Sequence, residues 1–355
     1  MTNLPAGVGS RFVEGVNGLR MHVLEAGEQD RPAVLLLHGF PELAYSWRKL
    51  MPALAEAGFH VIAPDQRGYG ETTGWDSRYD GDLDSFRIPN YVEDAVQLLA
   101  KLNISNAHVV GHDFGAPVAA YCALTRPDLF RSVVLMSGPY GGVSMGARDP
   151  RIHDLLAALG RKHYQWYYAG READANMRHC PQGVHAFLRA YYHYKSADWK
   201  GNKPFPLKGW IAAELVKMPT YYIMELDKGM AETVAPYLPS REAGWLTDQE
   251  LGVYARAFER NGFQGGLQWY RCTTSPHYSG ELAAALGART IDIPSMFIAG
   301  AADWGVYQKP GELERMQTSV CTDFRGCHLV AGAGHWVQQE QPDAVARLLA
   351  QFLPN

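Results

Sequence analysis

Short apolar runs alternate with amphipathic stretches in the first part of the chain. The runs at residues 33–37, 59–63, 107–111 and 132–136 have the length and composition of strands. The stretches between them carry apolar residues at helical spacing, for example over residues 46–57. Strands that alternate with helices form a parallel sheet covered by helices on both faces. The alternation therefore predicts an α/β fold.

The alternation of strands and helices is preceded by a predicted β-hairpin and is interrupted by a long segment without regular strand spacing. Asn17-Gly18 separates two earlier runs and favours a β-hairpin. Between the runs at 132–136 and 295–299 the chain is rich in Tyr, Trp and Gly, with helical stretches and no regular strand spacing. A strand near 327–330 and helices near 310–317 and 342–352 complete the pattern. The sequence thus predicts three parts: the first part of an α/β core (1–138), a mainly helical cap or lid (139–289) and the second part of the core (290–355).

Composition excludes several classes of partner. The 355 residues carry a net charge of −4 with both signs dispersed, so nucleic acid is not an expected partner. The longest apolar stretches are strand-sized and the N-terminus lacks a secretory pattern, which predicts no membrane partner and a cytoplasmic location. The five cysteines are scattered, and although Cys321 and Cys327 could meet across a turn, reduced thiols are expected. No CxxC or HxxxH spacing points to a metal.

The segment Gly-His-Asp-Phe-Gly at residues 111–115 has the pattern of a nucleophile elbow. It follows an apolar strand and opens a helix, and its glycines allow the sharp turn that exposes the central side chain. The central residue is Asp113, where such elbows usually carry serine. A carboxylate can displace a leaving group at an sp³ carbon and form an enzyme ester, which can later be hydrolysed. The substitution favours carbon–oxygen or carbon–halogen cleavage over ordinary ester hydrolysis.

A second loop follows the strand at residues 33–37. It reads His38-Gly39-Phe40-Pro41 and lies where such folds place their sites. The backbone N–H groups of Phe40 and Phe114 are expected to form an oxyanion hole for the hydrolysis step. His38 and His112 are expected to support these loops by hydrogen bonding.

The general base and its acid partner come late in the chain. His335 follows the last strand through a glycine-rich turn and completes the order nucleophile, acid, histidine. Asp303 follows the strand at 295–299 and is the predicted partner of His335. Asp292 is the alternative, but it precedes that strand and so lies at the wrong end of the sheet. The segment Ser137-Gly138-Pro139, where some relatives of this fold carry the acid, has no carboxylate.

Together these motifs resemble the epoxide hydrolases of the α/β-hydrolase fold. The matching segments span the core in the family's order: HGFPE (38–42), DQRGYG (65–70), GHDFGA (111–116), GAADW (300–304) and GHW (334–336). The resemblance implies a mostly parallel central sheet flanked by helices, with a mainly helical cap insertion. It implies conversion of an epoxide and water to a vicinal diol through a covalent ester on Asp113. It implies no metal or organic cofactor.

The resemblance also implies two cap tyrosines that donate protons to the epoxide oxygen. Tyr270 lies in the matching segment GGLQWYR (265–271), and Tyr164 lies in YQWY (164–167), with Tyr167 as its rival. The requirement is physical, because the ring oxygen becomes an alkoxide on opening and needs an acid on the face opposite the carboxylate. Tyrosine is a neutral donor at pH 7. Further side chains are predicted to line the substrate pocket: His38, Pro41, Trp47, Tyr167, Trp304 and Trp336.

Three questions stay open at this level. Dehalogenases of the same fold share parts of these motifs, but they commonly use a side-chain donor after the nucleophile, and Phe114 offers none. A non-catalytic small-molecule receptor is the other alternative, although the complete set of catalytic residues argues against it. The aromatic cap predicts a bulky or aryl-bearing epoxide. The role of residues 195–239, in shaping the pocket or in a subunit contact such as a homodimer, is not assigned.

Overall fold

A computed structural model describes residues 4–143, 151–287 and 289–353. Within these ranges the chain forms ten strands, which are β1 (Val8–Val16), β2 (Leu19–Ala26), β3 (Ala33–Leu37), β4 (His60–Pro64), β5 (Ala107–His112), β6 (Phe130–Met136), β7 (Arg161–His163), β8 (Ile223–Glu225), β9 (Ser295–Gly300) and β10 (Phe324–Val330). Eight of them form one sheet in the order β1-β2-β4-β3-β5-β6-β9-β10. β1 and β2 join the sheet antiparallel, and the other neighbours run parallel.

The helices of the described residues lie mainly between and after these strands. In chain order they are α1 (Met51–Glu56), α2 (Ile88–Lys101), α3 (Gly115–Thr125), α4 (Ile152–Ala158), α5 (Tyr164–Tyr168), α6 (Ala173–Arg178), α7 (Gly183–Lys195), α8 (Ala212–Leu215), α9 (Met230–Val234), α10 (Asp248–Asn261), α11 (Gln264–Thr274), α12 (Pro276–Leu286), α13 (Glu312–Arg315), α14 (Val337–Glu340) and α15 (Pro342–Phe352). This architecture is an α/β-hydrolase fold and confirms the predicted fold class. No helix in the described ranges is both long and apolar enough to span a bilayer.

The sheet separates two hydrophobic clusters. Alternate residues of each strand point to opposite faces, so Leu35 and Val109 join one cluster while Val34 and Val110 join the other. The first cluster continues into the aromatic side chains of the helical segment between β6 and β9. The parallel strands end at one edge of the sheet, and residues that follow β3, β5, β6 and β9 therefore meet there.

Two predicted elements differ in their extent. A single helix was expected over residues 46–57, but the chain forms a 3₁₀ turn at Ala44–Trp47 and then α1. Pro52 accounts for the break, because it lacks the N–H that a continuous helix would donate to the carbonyl of residue 48. β10 begins three residues before the predicted 327–330, at Phe324. It is an edge strand whose residues alternate between partly buried and exposed, so its first half has no apolar run to reveal it.

The segment between β6 and β9 is mainly helical, with α4 to α12 and one small antiparallel pair, β7 with β8. The pair joins the residues just before Tyr164 to the segment 223–225. The Tyr164 N–H donates to the Tyr222 carbonyl at 2.9 Å, which extends this pairing by one step. The division into core and cap at residues 138 and 289 stays a prediction.

Candidate active site

Asp113 stands at the turn between β5 and α3. Its φ of +52° is unusual for a residue with a side chain and holds the carboxyl clear of the sheet edge. The two flanking glycines make this turn possible. A Cβ on Gly111 would lie 2.0 Å from the Gly115 carbonyl oxygen, and one on Gly115 would lie 2.2 Å from the Leu37 carbonyl oxygen. The close packing of helix, strand and neighbouring strand thus excludes any side chain at either position.

The loop after β3 approaches the Asp113 carboxylate directly. The Phe40 N–H donates to Asp113 Oδ1 at 2.9 Å. Gly39 permits this approach, since a Cβ there would lie 2.4 Å from the Asp113 Cβ. Phe114 is the N-cap of α3 and follows Asp113 in the chain. The structure therefore brings the Phe40 N–H to the nucleophile's carboxyl group, and Phe114 is the next residue after the nucleophile.

His335 lies on the other side of the carboxylate. Its Nε2 is 3.3 Å from Asp113 Oδ2, and its Nδ1 is 3.1 Å from Asp303 Oδ1. Asp303 also accepts the Gly305 N–H at 2.7 Å. The imidazole and the Asp303 carboxylate are almost fully buried. Nucleophile, base and acid are thus brought together as the sequence predicted, and Asp292 is not part of the cluster, because it is exposed and bonded to Thr290 and Thr322.

Ser137 is a member of this cluster that the sequence reasoning missed. It follows β6 with a φ of +71°. Its hydroxyl donates to Asp303 Oδ2 at 2.5 Å and lies 2.8 Å from His335 Nδ1. A small polar residue at the carboxyl end of a central strand was the available signal. The segment 137–139 was considered only as a place for the acid partner of His335, and it has no carboxylate.

Electrostatics keep the two carboxylates ionised. Burial by itself would raise the pKa of Asp113, but the adjacent His335, with the positive charges of Lys195 and His112, lowers it below its ordinary value. Burial opposes ionisation of Asp303 in the same way, and His335, Ser137 and the Gly305 N–H together lower the pKa of that carboxyl. An ionised Asp113 is the form that can act as a nucleophile.

A buried ion pair supports the loop that carries His335. His112 Nε2 donates to the His335 carbonyl at 2.7 Å, and its Nδ1 donates to Glu42 Oε2 at 2.6 Å. Both ring nitrogens face acceptors, so the arrangement calls for an imidazolium. Glu42 also accepts the Gly39 N–H at 3.0 Å and the Gln338 amide at 3.0 Å. Burial opposes both charges, yet each partner favours the other, so the pKa of His112 is raised and that of Glu42 is lowered.

Tyr164 and Tyr270 lie opposite the nucleophile. Both line the same small chamber as Asp113, and their ring centroids are 6.0 Å apart. The Tyr164 hydroxyl donates to Gln308 Oε1 at 3.2 Å and accepts from the Gln165 amide at 3.2 Å. Burial, and then the charge of Asp113, raise the pKa of both phenols well above the ordinary value. Both phenols therefore stay protonated and can act as donors.

Tyr167 is not a second candidate for this position. Its hydroxyl donates to Asn176 Oδ1 at 2.7 Å, and Lys162 Nζ lies 4.9 Å from its ring centroid. It is not among the described residues that line the chamber, and its place in the substrate pocket stays a prediction. Tyr164 and Tyr167 are three positions apart on a short helix, and only the first of them turns toward Asp113.

The chamber around Asp113 is small, about 60 Å³, and its neighbours also include Phe114, Trp269 and Gln308. Several residues predicted for the pocket lie elsewhere among the described residues. Trp47 packs in the hydrophobic cluster on the opposite face of the sheet. His38 accepts the Gln66 N–H at 3.1 Å and supports the loop after β3. Trp304 packs edge-on against Phe205.

Pro41 and Trp336 lie behind the catalytic residues rather than in the chamber. The Pro41 carbonyl accepts the Tyr192 hydroxyl at 2.8 Å. The Trp336 indole N–H donates to the Tyr192 carbonyl at 2.9 Å, and its ring packs on His335 at 4.6 Å between centroids. These residues therefore join the core to α7, and their assignment to the pocket stays a prediction. No cluster of three His, Cys, Asp or Glu side chains suited to a metal occurs among residues 4–143, 151–287 and 289–353.

Comparisons with known proteins agree with this arrangement. A family model of the alpha/beta hydrolase fold matches residues 32–342. The chain is 34% identical to epoxide hydrolase A of Mycobacterium tuberculosis over 339 residues, which is 95% of each chain. It is 33% identical to epoxide hydrolase B of the same organism, covering 95% of this chain and 96% of the relative. A solved epoxide hydrolase from an endophytic Streptomyces aligns with a TM-score of 0.80 at 33% identity, covering 98% of this chain and 96% of that one.

Proposed function

Because the chain belongs to the epoxide hydrolases of the α/β-hydrolase fold, we propose that it converts epoxides to vicinal diols in two steps, with Asp113 as the nucleophile. One observation carries the proposal. One chamber of about 60 Å³ is lined by the Asp113 carboxyl group and by the phenols of Tyr164 and Tyr270. An epoxide held there has a nucleophile for its carbon and proton donors for its oxygen.

The first step opens the ring. Asp113 attacks one ring carbon, a carbon–oxygen bond to the carboxylate forms, and the ring carbon–oxygen bond breaks. The negative charge passes to the former ring oxygen, which takes a proton from the phenols of Tyr164 and Tyr270. The product is an alkyl ester of Asp113. The lowered pKa of Asp113 and the raised pKa of both phenols suit these two roles.

The second step hydrolyses the ester. His335 removes a proton from water, and the hydroxide adds to the ester carbonyl. The N–H groups of Phe40 and Phe114 stabilise the oxyanion, and its collapse breaks the ester bond to the diol oxygen, which takes the proton from His335. The carboxyl group of Asp113 then loses its proton, which restores the phenol that was deprotonated in the first step. Asp303 orients His335 and stabilises its charged form. The geometry supports this role, since His335 Nε2 lies near Asp113 while Nδ1 faces Asp303 and Ser137.

A single turnover in oxygen-18 water tests the covalent step. Excess enzyme reacts once with an aryl epoxide, and the peptide containing Asp113 and the diol are analysed by mass spectrometry. We expect the label in the Asp113 carboxylate and not in the diol, because water attacks the ester carbonyl. Label in the diol after the first turnover would mean that water attacks the epoxide directly, and the proposed nucleophile would be rejected.

Halide release is the less well supported alternative. A halide needs a donor beside the nucleophile, and the residue after Asp113 is Phe114. Its ring stacks on Tyr69 at 5.8 Å and packs edge-on against Trp269 at 5.0 Å, so it offers only a hydrophobic surface.

We propose that the preferred epoxides carry a bulky or aryl substituent. A second cavity of about 620 Å³ shares Pro117, Gln165 and Trp269 with the chamber around Asp113. The small chamber suits the epoxide ring, and the larger cavity suits the rest of the substrate. We also propose a cytoplasmic location, which the free thiols of all five cysteines support. Assembly as a homodimer stays a prediction.

A further inference from the structure

Lys195 is a buried cation that the two steps above do not use. It ends α7 and is 3% exposed. Its Nζ lies within 5.0 to 5.7 Å of the centroids of four aromatic rings, those of Tyr191, Tyr221, Tyr222 and Trp336. No ion pair or hydrogen bond joins this ammonium group to any of the described residues. We call the four rings the aromatic cage.

The backbone fixes Lys195 against the catalytic histidine. The His335 N–H donates to the Lys195 carbonyl at 2.9 Å. Gly334 allows this contact, because a Cβ there would lie 2.7 Å from the Lys195 carbonyl oxygen. Two residues on, the Ala197 N–H donates to Glu340 Oε2 at 2.8 Å, and the same oxygen accepts the Gly334 N–H at 2.9 Å. The end of α7 and the His335 loop thus hold a fixed relative position.

The ammonium group of Lys195 is costly to bury without a carboxylate partner. The faces of the cage attract a cation and compensate part of the cost. Burial lowers the pKa of Lys195, and the carboxylates that oppose this effect are Asp113 first, then Asp303 and Glu42. The imidazoles of His335 and His112 act on Asp113 together with Lys195, and the cage adds the phenols of Tyr191, Tyr221 and Tyr222. In this poorly solvated region the charge of Lys195 therefore acts mainly on the catalytic carboxylates.

We propose that Lys195 is a positioning residue that stabilises the ionised Asp113, and so favours the step in which that carboxylate re-forms over the step in which it is consumed. The inference rests on the proposed function. During alkylation the negative charge leaves Asp113 for the substrate oxygen, which takes a proton from the phenols, so a nearby cation opposes this step. During hydrolysis the carboxylate returns as the diol oxygen leaves and takes a proton, so the same cation favours it. Lys195 thus limits accumulation of the ester.

Lys195→Met tests the proposal, because methionine keeps an unbranched side chain of nearly the same length and removes the charge. Rapid quenching and intact-protein mass spectrometry give the rates of ester formation and ester hydrolysis. We expect the ratio of formation to hydrolysis to rise about tenfold, as the loss of roughly one charge interaction near Asp113 predicts. The acid limb of ester formation should also move to higher pH, because Asp113 becomes easier to protonate. Lys195→Arg, which keeps the charge, should stay near the wild-type ratio.

Lys49→Met is the matched control. Lys49 is also partly buried, but it pairs with Glu250 at 3.8 Å and lies outside the site. A ratio within twofold of the wild type in Lys195→Met, or an equal rise in Lys195→Arg, would overturn the inference. If Lys195→Met does not fold, nitrogen-15 NMR of the wild-type side chain decides, since an uncharged amine at the assay pH would also overturn it. Oxygen-18 label found in the diol, and not in the Asp113 carboxylate, after a single wild-type turnover would instead contradict the proposed function.

Discussion

The two sides of the site hold their polar groups in different ways. We call Asp113, Asp303 and the loops after β3, β6, β9 and β10 the core side, and the helical segment between β6 and β9, with Tyr164 and Tyr270, the cap side. On the core side, Asp113 and Asp303 each have both carboxylate oxygens close to a hydrogen-bonding group. These partners come from loops that follow four separate strands, and together they hold negative charge in place. The core side is therefore a rigid, charged surface whose geometry depends on backbone N–H groups as much as on side chains.

The cap residues that line the chamber are neutral, and most of them are aromatic, as Tyr164, Trp269 and Tyr270 are. Tyr164 and Tyr270 lie against other tyrosines, with Tyr168 at 5.6 Å and 5.0 Å from their respective ring centroids. Their hydroxyls stay protonated because burial disfavours a phenolate. The difference teaches how one chamber can hold a base and an acid at once. Negative charge is stabilised at Asp113 and Asp303 and disfavoured at the two phenols, so attack on carbon and proton donation to oxygen come from different side chains.

Among substitutions confined to one side of the site, removal of the cap tyrosine hydroxyls should have the largest effect on rate. Tyr270→Phe and Tyr164→Phe should each slow ester formation by about 10²-fold, and the double variant by about 10³-fold or more, because the developing alkoxide loses its acids. Ester hydrolysis, measured in a single turnover, should change much less. Tyr167→Phe is the control, since its hydroxyl bonds Asn176. Equal slowing of both steps would mean that the tyrosines support the whole site and not one side of it.

A substitution on the core side should instead slow ester hydrolysis. Ser137→Ala removes the hydroxyl between Asp303 and His335. The loss of a hydrogen bond to a charged group predicts about tenfold slower ester hydrolysis. Ester formation should stay within about twofold, since Asp113 keeps its Phe40 and His335 contacts. Ser319→Ala is the control, because Ser319 is exposed and its hydroxyl donates to the Arg315 carbonyl, outside the site. Slower ester formation in Ser137→Ala would contradict the separation of roles between the two sides.

The sequence allowed prediction of the features that depend on local chemistry. The apolar runs fixed the central strands within a few residues, because strands covered on both faces need continuous apolar side chains. The glycines around Asp113 and Phe40 indicated close backbone contacts that only residues without a side chain allow. The three catalytic side chains each follow the end of a strand, and parallel strands bring such positions together. Local patterns therefore sufficed for the sheet and for where its polar residues converge.

Features that depend on contacts between distant segments could not be predicted in this way. Ser137 bonds residues 166 and 198 positions away. The cage around Lys195 combines α7, residues 221–222 and the His335 loop, which no periodic pattern connects. Trp47 was predicted to line the pocket, yet it ends the 3₁₀ turn before α1 and packs in the cluster on the opposite face of the sheet. Such assignments require the tertiary packing itself.

A substitution at the contact between the two sides should have the smallest effect, and this effect is on the free energy of unfolding. Glu340 accepts N–H bonds from Ala197 on the cap side and from Gly334 and Trp336 on the core side. Removal from water outweighs these bonds and raises the pKa of Glu340 from 4.5 to about 7. The native state therefore binds a proton more tightly than the unfolded state. The contribution of this group to stability is complete below about pH 4.5 and is lost as pH rises through about 7.

Glu340→Gln removes this proton exchange. The free energy of unfolding of the variant, relative to the wild type, should rise by about 2 kcal/mol between pH 5 and pH 8. Urea titrations at several pH values measure the difference, and Glu56→Gln, at an exposed position of α1, should show no such trend. A constant difference across this range would mean that Glu340 is already ionised at pH 5. The cap and the His335 loop would then be joined by a permanent carboxylate, and their contact would not weaken with rising pH.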